Sequence, residues 1–118
     1  MHEMGIAMEI IKIATSSIPD SPENIRVKSV KLKIGKMAAV VPESLKFCFV
    51  IAAKETKLEG AKLNIEEIES VARCQECGNE WTISGLTFNC TSCNSGSIDI
   101  LSGRELEIVS IEIEDELL

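Results

Sequence analysis

The sequence predicts an α+β fold: a sheet of about three strands with two helices on one face, plus a small inserted zinc-ribbon-like domain built on four cysteines. Three observations point there. Apolar residues recur at helical spacing in two segments and alternate as in strands in three others. Proline and glycine fall between those segments. Two C-x-x-C pairs interrupt the pattern before the last strand. The chain has 118 residues, 45% of them apolar. A chain of that length buries roughly two thirds of the surface exposed when unfolded, which suffices for one core with a small satellite.

Residues 4–17 read as the first helix, with Met4, Ala7, Met8, Ile11 and Ala14 on an apolar face that Ile6, Ile10 and Ile13 widen. The stretch from Ser16 to Pro22 ends it, because proline lacks a backbone donor and biases the residue before it away from helix. From Ile25 to Ile34 the pattern alternates: Val30, Leu32 and Ile34 on one side, Lys31 and Lys33 on the other. Gly35 closes that strand. Pro42 suits a helix's first turn, where a missing N–H leaves nothing unpaired. The segment Glu43 to Lys54 then lines up Leu45, Cys48, Phe49 and Ala52. Alternation returns through Ala61, Leu63 and Ile65, and again over residues 105–114. The change of phase between Ile108 and Val109 predicts a bulge or a strand buried on both faces. The cysteine segment, residues 73–98, is inserted between the second and third strands, leaving 1–72 with 99–118 as the α+β domain.

Composition excludes more than it asserts. The net charge is −7, aromatics are 3%, Trp81 is the sole tryptophan and tyrosine is absent. A phosphate backbone is repelled and finds no stacking platform, so no nucleic-acid partner is expected. The charge is uneven: residues 1–24 carry −3, residues 25–62 carry +6 and residues 63–118 carry −10. That contrast predicts internal docking or partner surfaces of opposite sign. The basic stretch Arg26, Lys28, Lys31, Lys33 and Lys36 reads by default as a solvated strand face. The longest apolar run, Phe47 to Ala53, is too short to span a bilayer, so no membrane association is expected. Met1-His2-Glu3 lacks a basic leader region and Lys12 interrupts the first apolar stretch, so a cytoplasmic location is expected. In that reducing setting paired cysteines more often hold metal than form disulfides.

Cys74-Gln75-Glu76-Cys77 and Cys90-Thr91-Ser92-Cys93 lie twelve residues apart. Each pair can turn as a knuckle presenting two sulfurs, and two knuckles supply a tetrahedral set. Gly78 and Asn94, each following a pair, tolerate the left-handed backbone such turns need. Thiolates favour zinc or iron–sulfur chemistry. Four cysteines would saturate zinc and make the site structural; an iron site, a redox dithiol or coincidence are the alternatives. Cys48 reads as a small buried apolar residue.

His2 is the single histidine. Its plain reading is a frayed terminus. Its chemical reading is a chelator: the α-amine of Met1, the backbone nitrogen of His2 and its imidazole close a five-membered and a six-membered ring. Three nitrogens in one plane suit nickel(II) or copper(II), with a fourth position open. Glu3 can add an oxygen ligand or contact a partner.

At this point the chain resembles a known family. Met1-His2-Glu3, the segment Val41-Pro42-Glu43-Ser44-Leu45-Lys46-Phe47-Cys48-Phe49, the four cysteines and the closing Gly103-Arg104-Glu105-Leu106-Glu107-Ile108 are similar to the HypA/HybF family of nickel metallochaperones. The resemblance covers nearly the whole chain. It implies nickel at Met1, His2 and Glu3, and structural zinc at Cys74, Cys77, Cys90 and Cys93. It implies that residues 1–72 with 99–118 form the nickel-binding domain and 73–98 the zinc-binding one. It further implies a monomer or homodimer that delivers nickel to the hydrogenase large subunit with a partner maturation GTPase, and in some organisms to urease. Two positions depart from the family's pattern. Some members add a histidine near Ile98, and a proline often stands where this chain has Thr91.

Three function classes compete on the residues. A metal-transfer chaperone uses both the amino terminus and the cysteines. A zinc-ribbon adaptor for transcription or RNA machinery is disfavoured by the acidic charge and scarce aromatics. A hydrolase lacks a base, a nucleophile elbow and an open zinc site, so no enzyme is expected.

Overall fold

The apolar periodicities of the first 35 residues fold as a helix and a strand. The computed structural model describes residues 2–18, 25–85 and 87–115. Helix α1 (Glu3–Ser17) is followed by β1 (Ile25–Gly35), a 3-10 turn (Lys36–Ala38) and helix α2 (Pro42–Ala52). Strands β2 (Lys62–Ile68), β3 (Val71–Cys74), β4 (Glu80–Thr82), β5 (Ile98–Ser102) and β6 (Leu106–Asp115) complete the order. The α+β class, the two helices and the three long strands are those the sequence predicts. Among the described residues no helix is long and apolar enough to cross a membrane.

The chain divides into two compact units, the first comprising Met1–Lys33, Val40–Glu66 and Glu107–Leu118, the second Ile34–Ala39 and Glu67–Leu106. In the first unit α1 buries Ala7, Ile10, Ile11 and Ala14 and packs against α2. Pro42 occupies the first turn of α2, which buries Leu45 and Phe49. Ala53 and Leu58, just beyond the helix, are also buried. From β1 come Ile25, Val27, Val30 and Leu32; the alternation slips by one residue between Val27 and Val30, so both halves still face inward.

One three-stranded sheet runs β2-β1-β6, with β1 central. Lys28 pairs with Glu112 at 3.3 Å and Lys31 with Glu66 at 3.6 Å. The charge contrast is thus met in part within the sheet, where basic β1 lies between acidic neighbours. Each such exposed pair contributes only about 0.2–1 kcal/mol, so the pairs favour register more than stability.

The last strand corrects an expectation. A β6 buried on both faces is not found: Leu106, Val109 and Ile113 are 42%, 45% and 47% exposed. As an edge strand it has one hydrogen-bonded neighbour, and apolar residues there need not be covered.

In the second unit an antiparallel sheet of order β4-β3-β5 carries the cysteine segment. Ala72 lies opposite Trp81 and Ile100, while Arg73 lies opposite Glu80 and ion-pairs with it at 2.9 Å. Sequence patterning did not predict this sheet. Strands of three to five residues are too short for alternation to register. Two glycines let backbones cross closely in this unit. A Cβ on Gly35 would lie 2.0 Å from the Gly103 carbonyl, and Gly103 itself has φ +113°. The Gly35 N–H donates to Glu105 O and the Met37 N–H to Gly103 O, each at 2.7 Å.

Candidate metal centre

Each C-x-x-C pair folds as the same knuckle. In the first, the Cys74 N–H donates to Asn79 O at 2.8 Å and the Gly78 N–H to Cys74 O at 3.0 Å. In the second, the Cys90 N–H donates to Ser95 O at 2.8 Å and the Asn94 N–H to Cys90 O at 2.9 Å. Gly78 at φ +78° and Asn94 at φ +63° occupy equivalent left-handed positions, the conformation each residue type tolerates. Cys74 Sγ accepts the N–H groups of Glu76 and Cys77 at 3.4 and 3.5 Å; Cys90 Sγ accepts those of Ser92 and Cys93 at 3.3 and 3.4 Å.

The knuckles bring all four sulfurs within 4.8 Å of one another. Cys74 and Cys93 approach to 3.6 Å, Cys77 and Cys90 to 3.5 Å. A tetrahedral ion with metal–sulfur bonds of about 2.3 Å needs sulfur–sulfur edges of about 3.8 Å. The cluster fits zinc. Cys74 and Cys90 are buried while Cys77 and Cys93 are exposed, so each knuckle offers one inner and one outer ligand.

The thiols are graded by their surroundings. Burial alone would push Cys90 up, but the N–H groups of Cys93 and Ser92 together with Cys77 and Asn79 pull it down to about 6. Cys74 is lowered chiefly by the Cys77 N–H. The Ser95 N–H favours the Cys93 thiolate, yet sharing with the Cys74 sulfur, burial and the other two sulfurs push Cys93 up to about 12. Cys77 is likewise raised, where sharing with Cys90 and burial outweigh the Asn79 N–H. Without metal, then, each close sulfur pair divides into one thiolate-prone and one thiol-prone partner, as coupled sites do.

A bond between the knuckles was not legible in the cysteine spacing. Asn79 Nδ2 donates to Thr91 Oγ1 at 2.9 Å and approaches Cys90 Sγ at 3.6 Å. The hydroxyl of Thr91, where proline is often expected, thereby ties the second knuckle to the first. A side chain that orients a metal ligand in this way tunes the site from outside it. Cys48 stands apart from the cluster; it is half-buried rather than fully in the core, since α2 turns Leu45 and Phe49 inward.

The other predicted site residues lie at the start of α1. His2 is the residue before the first helical turn, with extended backbone at φ −83° and ψ 92°. Its carbonyl accepts the Ile6 N–H at 3.2 Å and its exposed side chain makes no cap bond. Its own N–H precedes the helix ladder and has no helical partner. Glu3 is half-buried, and its Oε2 accepts the Val41 N–H at 3.1 Å. That bond, with the backbone N–H of Glu3, holds the carboxyl below the usual carboxylate range. Nothing in the sequence pattern signalled this contact across 38 residues. Met1 lies outside the described residues.

Comparison with known proteins fits this arrangement. A family described as hydrogenase/urease nickel incorporation, metallochaperone, hypA matches residues 1–113. A hydrogenase maturation factor HypA of Desulfosudis oleivorans is 56% identical over 115 residues, covering 98% of this chain and 100% of that one. A protein of the same name from Desulfatibacillum aliphaticivorans is 55% identical, covering 98% and 88%. Among solved structures, the Ni metallochaperone HypA from Helicobacter pylori superposes with a TM-score of 0.65 at 20% identity, over 98% of this chain and 100% of that one. A second solution structure of a HypA protein gives 0.70 at 21% identity, over 98% of each chain. At those identities the structures speak for the fold, whereas the profile and the close relatives speak for kinship. A match that runs nearly end to end, through both the amino-terminal residues and the four cysteines, makes this chain a member of the HypA family of hydrogenase and urease nickel-incorporation metallochaperones.

Proposed function

We propose that this protein binds Ni(II) at its amino terminus and delivers it during maturation of [NiFe]-hydrogenase, with one structural zinc held by Cys74, Cys77, Cys90 and Cys93. The observation that carries the nickel reading is the position of His2. It offers an exposed imidazole and a backbone N–H outside the helix ladder, the groups a terminal chelate requires. The Met1 amine completes three nitrogens, and the free carboxylate oxygen of Glu3 adds a fourth ligand. Residues 1–72 with 99–118 serve the nickel and 73–98 the zinc.

The two metals play different parts. Four thiolates fill the coordination of zinc and leave no position for exchange. The amino-terminal set leaves positions open, which suits a cargo that must be passed on. The receiving partners are the hydrogenase large subunit and a maturation GTPase, with urease a second destination. The protein acts in the cytoplasm, as a monomer or homodimer, and turns over no substrate. A zinc-ribbon adaptor for RNA or transcription machinery is the weaker reading, because it leaves the family match and His2 without a purpose.

Calorimetry on untagged protein tests this. His2→Ala should abolish tight nickel binding while zinc content stays at one per chain. Unchanged nickel affinity in that variant would sink the terminal chelate. Glu3→Gln keeps an acceptor for the Val41 N–H but weakens the oxygen ligand, so nickel affinity should drop several-fold with folding intact.

A further inference from the structure

The geometry points to a groove between α2 and the free edge of β2 as a docking site for an extended peptide of alternating apolar and acidic residues. The cleft has a volume of about 340 Å³ and is lined by Lys46, Phe49 and Val50 of α2 and by residues 61–64. Successive residues of a strand point to opposite faces of a sheet. Three consecutive strand residues, Lys62, Leu63 and Asn64, line one cleft and therefore place it along the strand's edge, not over one face. That edge is open among the described residues: β2 pairs with β1 alone, at the end of the order β2-β1-β6. An open edge beside a helix is the arrangement in which an added strand gains main-chain hydrogen bonds and drops alternate side chains into the cleft.

The lining states what those side chains should be. Phe49 and Leu63 are buried beneath the cleft, and Val50 is 60% exposed above it. Phe47 and Ile51, also exposed, continue the apolar stripe of Val50 along α2 at helical spacing. Lys46 and Lys62 flank the cleft from its two walls. Neither makes an ion pair among the described residues, whereas Lys28, Lys31 and Lys36 each meet a glutamate. Two unpaired ammonium groups at an apolar cleft complement a ligand carrying carboxylates. They also oppose pairing with the same edge of a second copy, since like charges would face each other.

The probe is a labelled, end-capped hexapeptide alternating valine and glutamate, titrated into the full zinc-loaded protein by fluorescence anisotropy. Three changes define the mode. N-methylation of alternate peptide nitrogens should weaken binding at least tenfold, because strand addition needs those N–H groups. A peptide with lysine in place of glutamate should not bind. The double variant Lys46→Glu with Lys62→Glu should lose the acidic peptide at least tenfold and gain the basic one, an exchange that a misfolded variant cannot produce. Hydrogen exchange should show added protection over residues 61–68. Equal binding of both charge forms, indifference to N-methylation, or protection confined elsewhere would overturn the proposal. So would concentration-dependent dimerisation that Val50→Asp abolishes while the peptide fails to bind, which would give the groove to a second copy.

Discussion

The cysteine cluster and the amino terminus, the proposed zinc and nickel sites, are treated by the fold in opposite ways. Around the sulfurs the backbone converges on the ligands. Two equivalent knuckles aim four N–H groups at the inner sulfurs, and Asn79 links one knuckle to the other. At the amino terminus one carboxylate contact, from Glu3 to the Val41 N–H, is the main restraint, and the His2 side chain stands free in solvent. Preorganised ligands that fill a coordination sphere hold their ion; sparse, exposed ligands with open positions release it. On the proposed reading, the contrast between a retained ion and an exchanged one is built into the backbone.

The largest break in that contrast comes from Cys90→Ser. It removes a buried sulfur on which two backbone N–H groups converge. Zinc stoichiometry by elemental analysis should fall from one to near zero, with loss of structured signals from residues 67–106 in NMR spectra, because metal binding and folding are coupled in small metal-stapled units. Nickel binding at the amino terminus should persist. If nickel affinity fell with zinc, the two sites would not be separable as argued. The next effect is confined to the other region. An uncleaved tag ahead of Met1 blocks the amine, and nickel affinity should drop by at least tenfold while zinc content is unchanged. Equal affinity with and without the tag would remove the amine from the ligand set.

How much of this was legible in sequence follows the range of each interaction. The knuckles were legible because spacing and the left-handed positions Gly78 and Asn94 lie within six residues of their cysteines. Both helices and the three long strands were legible from periodicity. The second sheet was not, since β3, β4 and β5 have no period of their own and are ordered by cross-strand partners such as Arg73 and Glu80. The edge position of β6 was also hidden, because alternation reports which residues share a face and not what lies beside the strand. The Glu3 to Val41 contact and the Asn79 to Thr91 bond join segments with no shared pattern.

Proton release sharpens the comparison further. Cys77 and Cys93 are raised above the ordinary thiol range, so both are protonated at neutral pH in the metal-free protein. Cys90, pulled down to about 6, is already ionised there. Zinc must displace whatever protons its ligands carry, so loading at pH 7 should release fewer than four protons, and the number should rise as pH falls below 6 and Cys90 gains its proton. Calorimetry in buffers of different ionisation enthalpy measures this number directly. Release of four protons at pH 7 would mean that the N–H groups aimed at Cys90 do not stabilise its thiolate.

The smallest effect separates orientation from ligation. Asn79 is not a ligand, but its amide joins Thr91 and approaches the Cys90 sulfur. Asn79→Ala should keep one zinc per chain and the same fold. Removing one or two hydrogen bonds behind a ligand should speed zinc transfer to a chelator by about tenfold. Thr91→Val tests the same link from the other side: it removes the hydroxyl acceptor while leaving the approach of Asn79 to sulfur available. If the bond to Thr91 is what aligns the knuckles, the two variants should match in rate. If the amide acts mainly on the thiolate, Asn79→Ala should be the faster to lose zinc and should also raise the Cys90 thiol, visible as slower alkylation of the metal-free protein near pH 7. Unaltered zinc exchange in both variants would mean that the backbone N–H groups alone account for the closed character of this site.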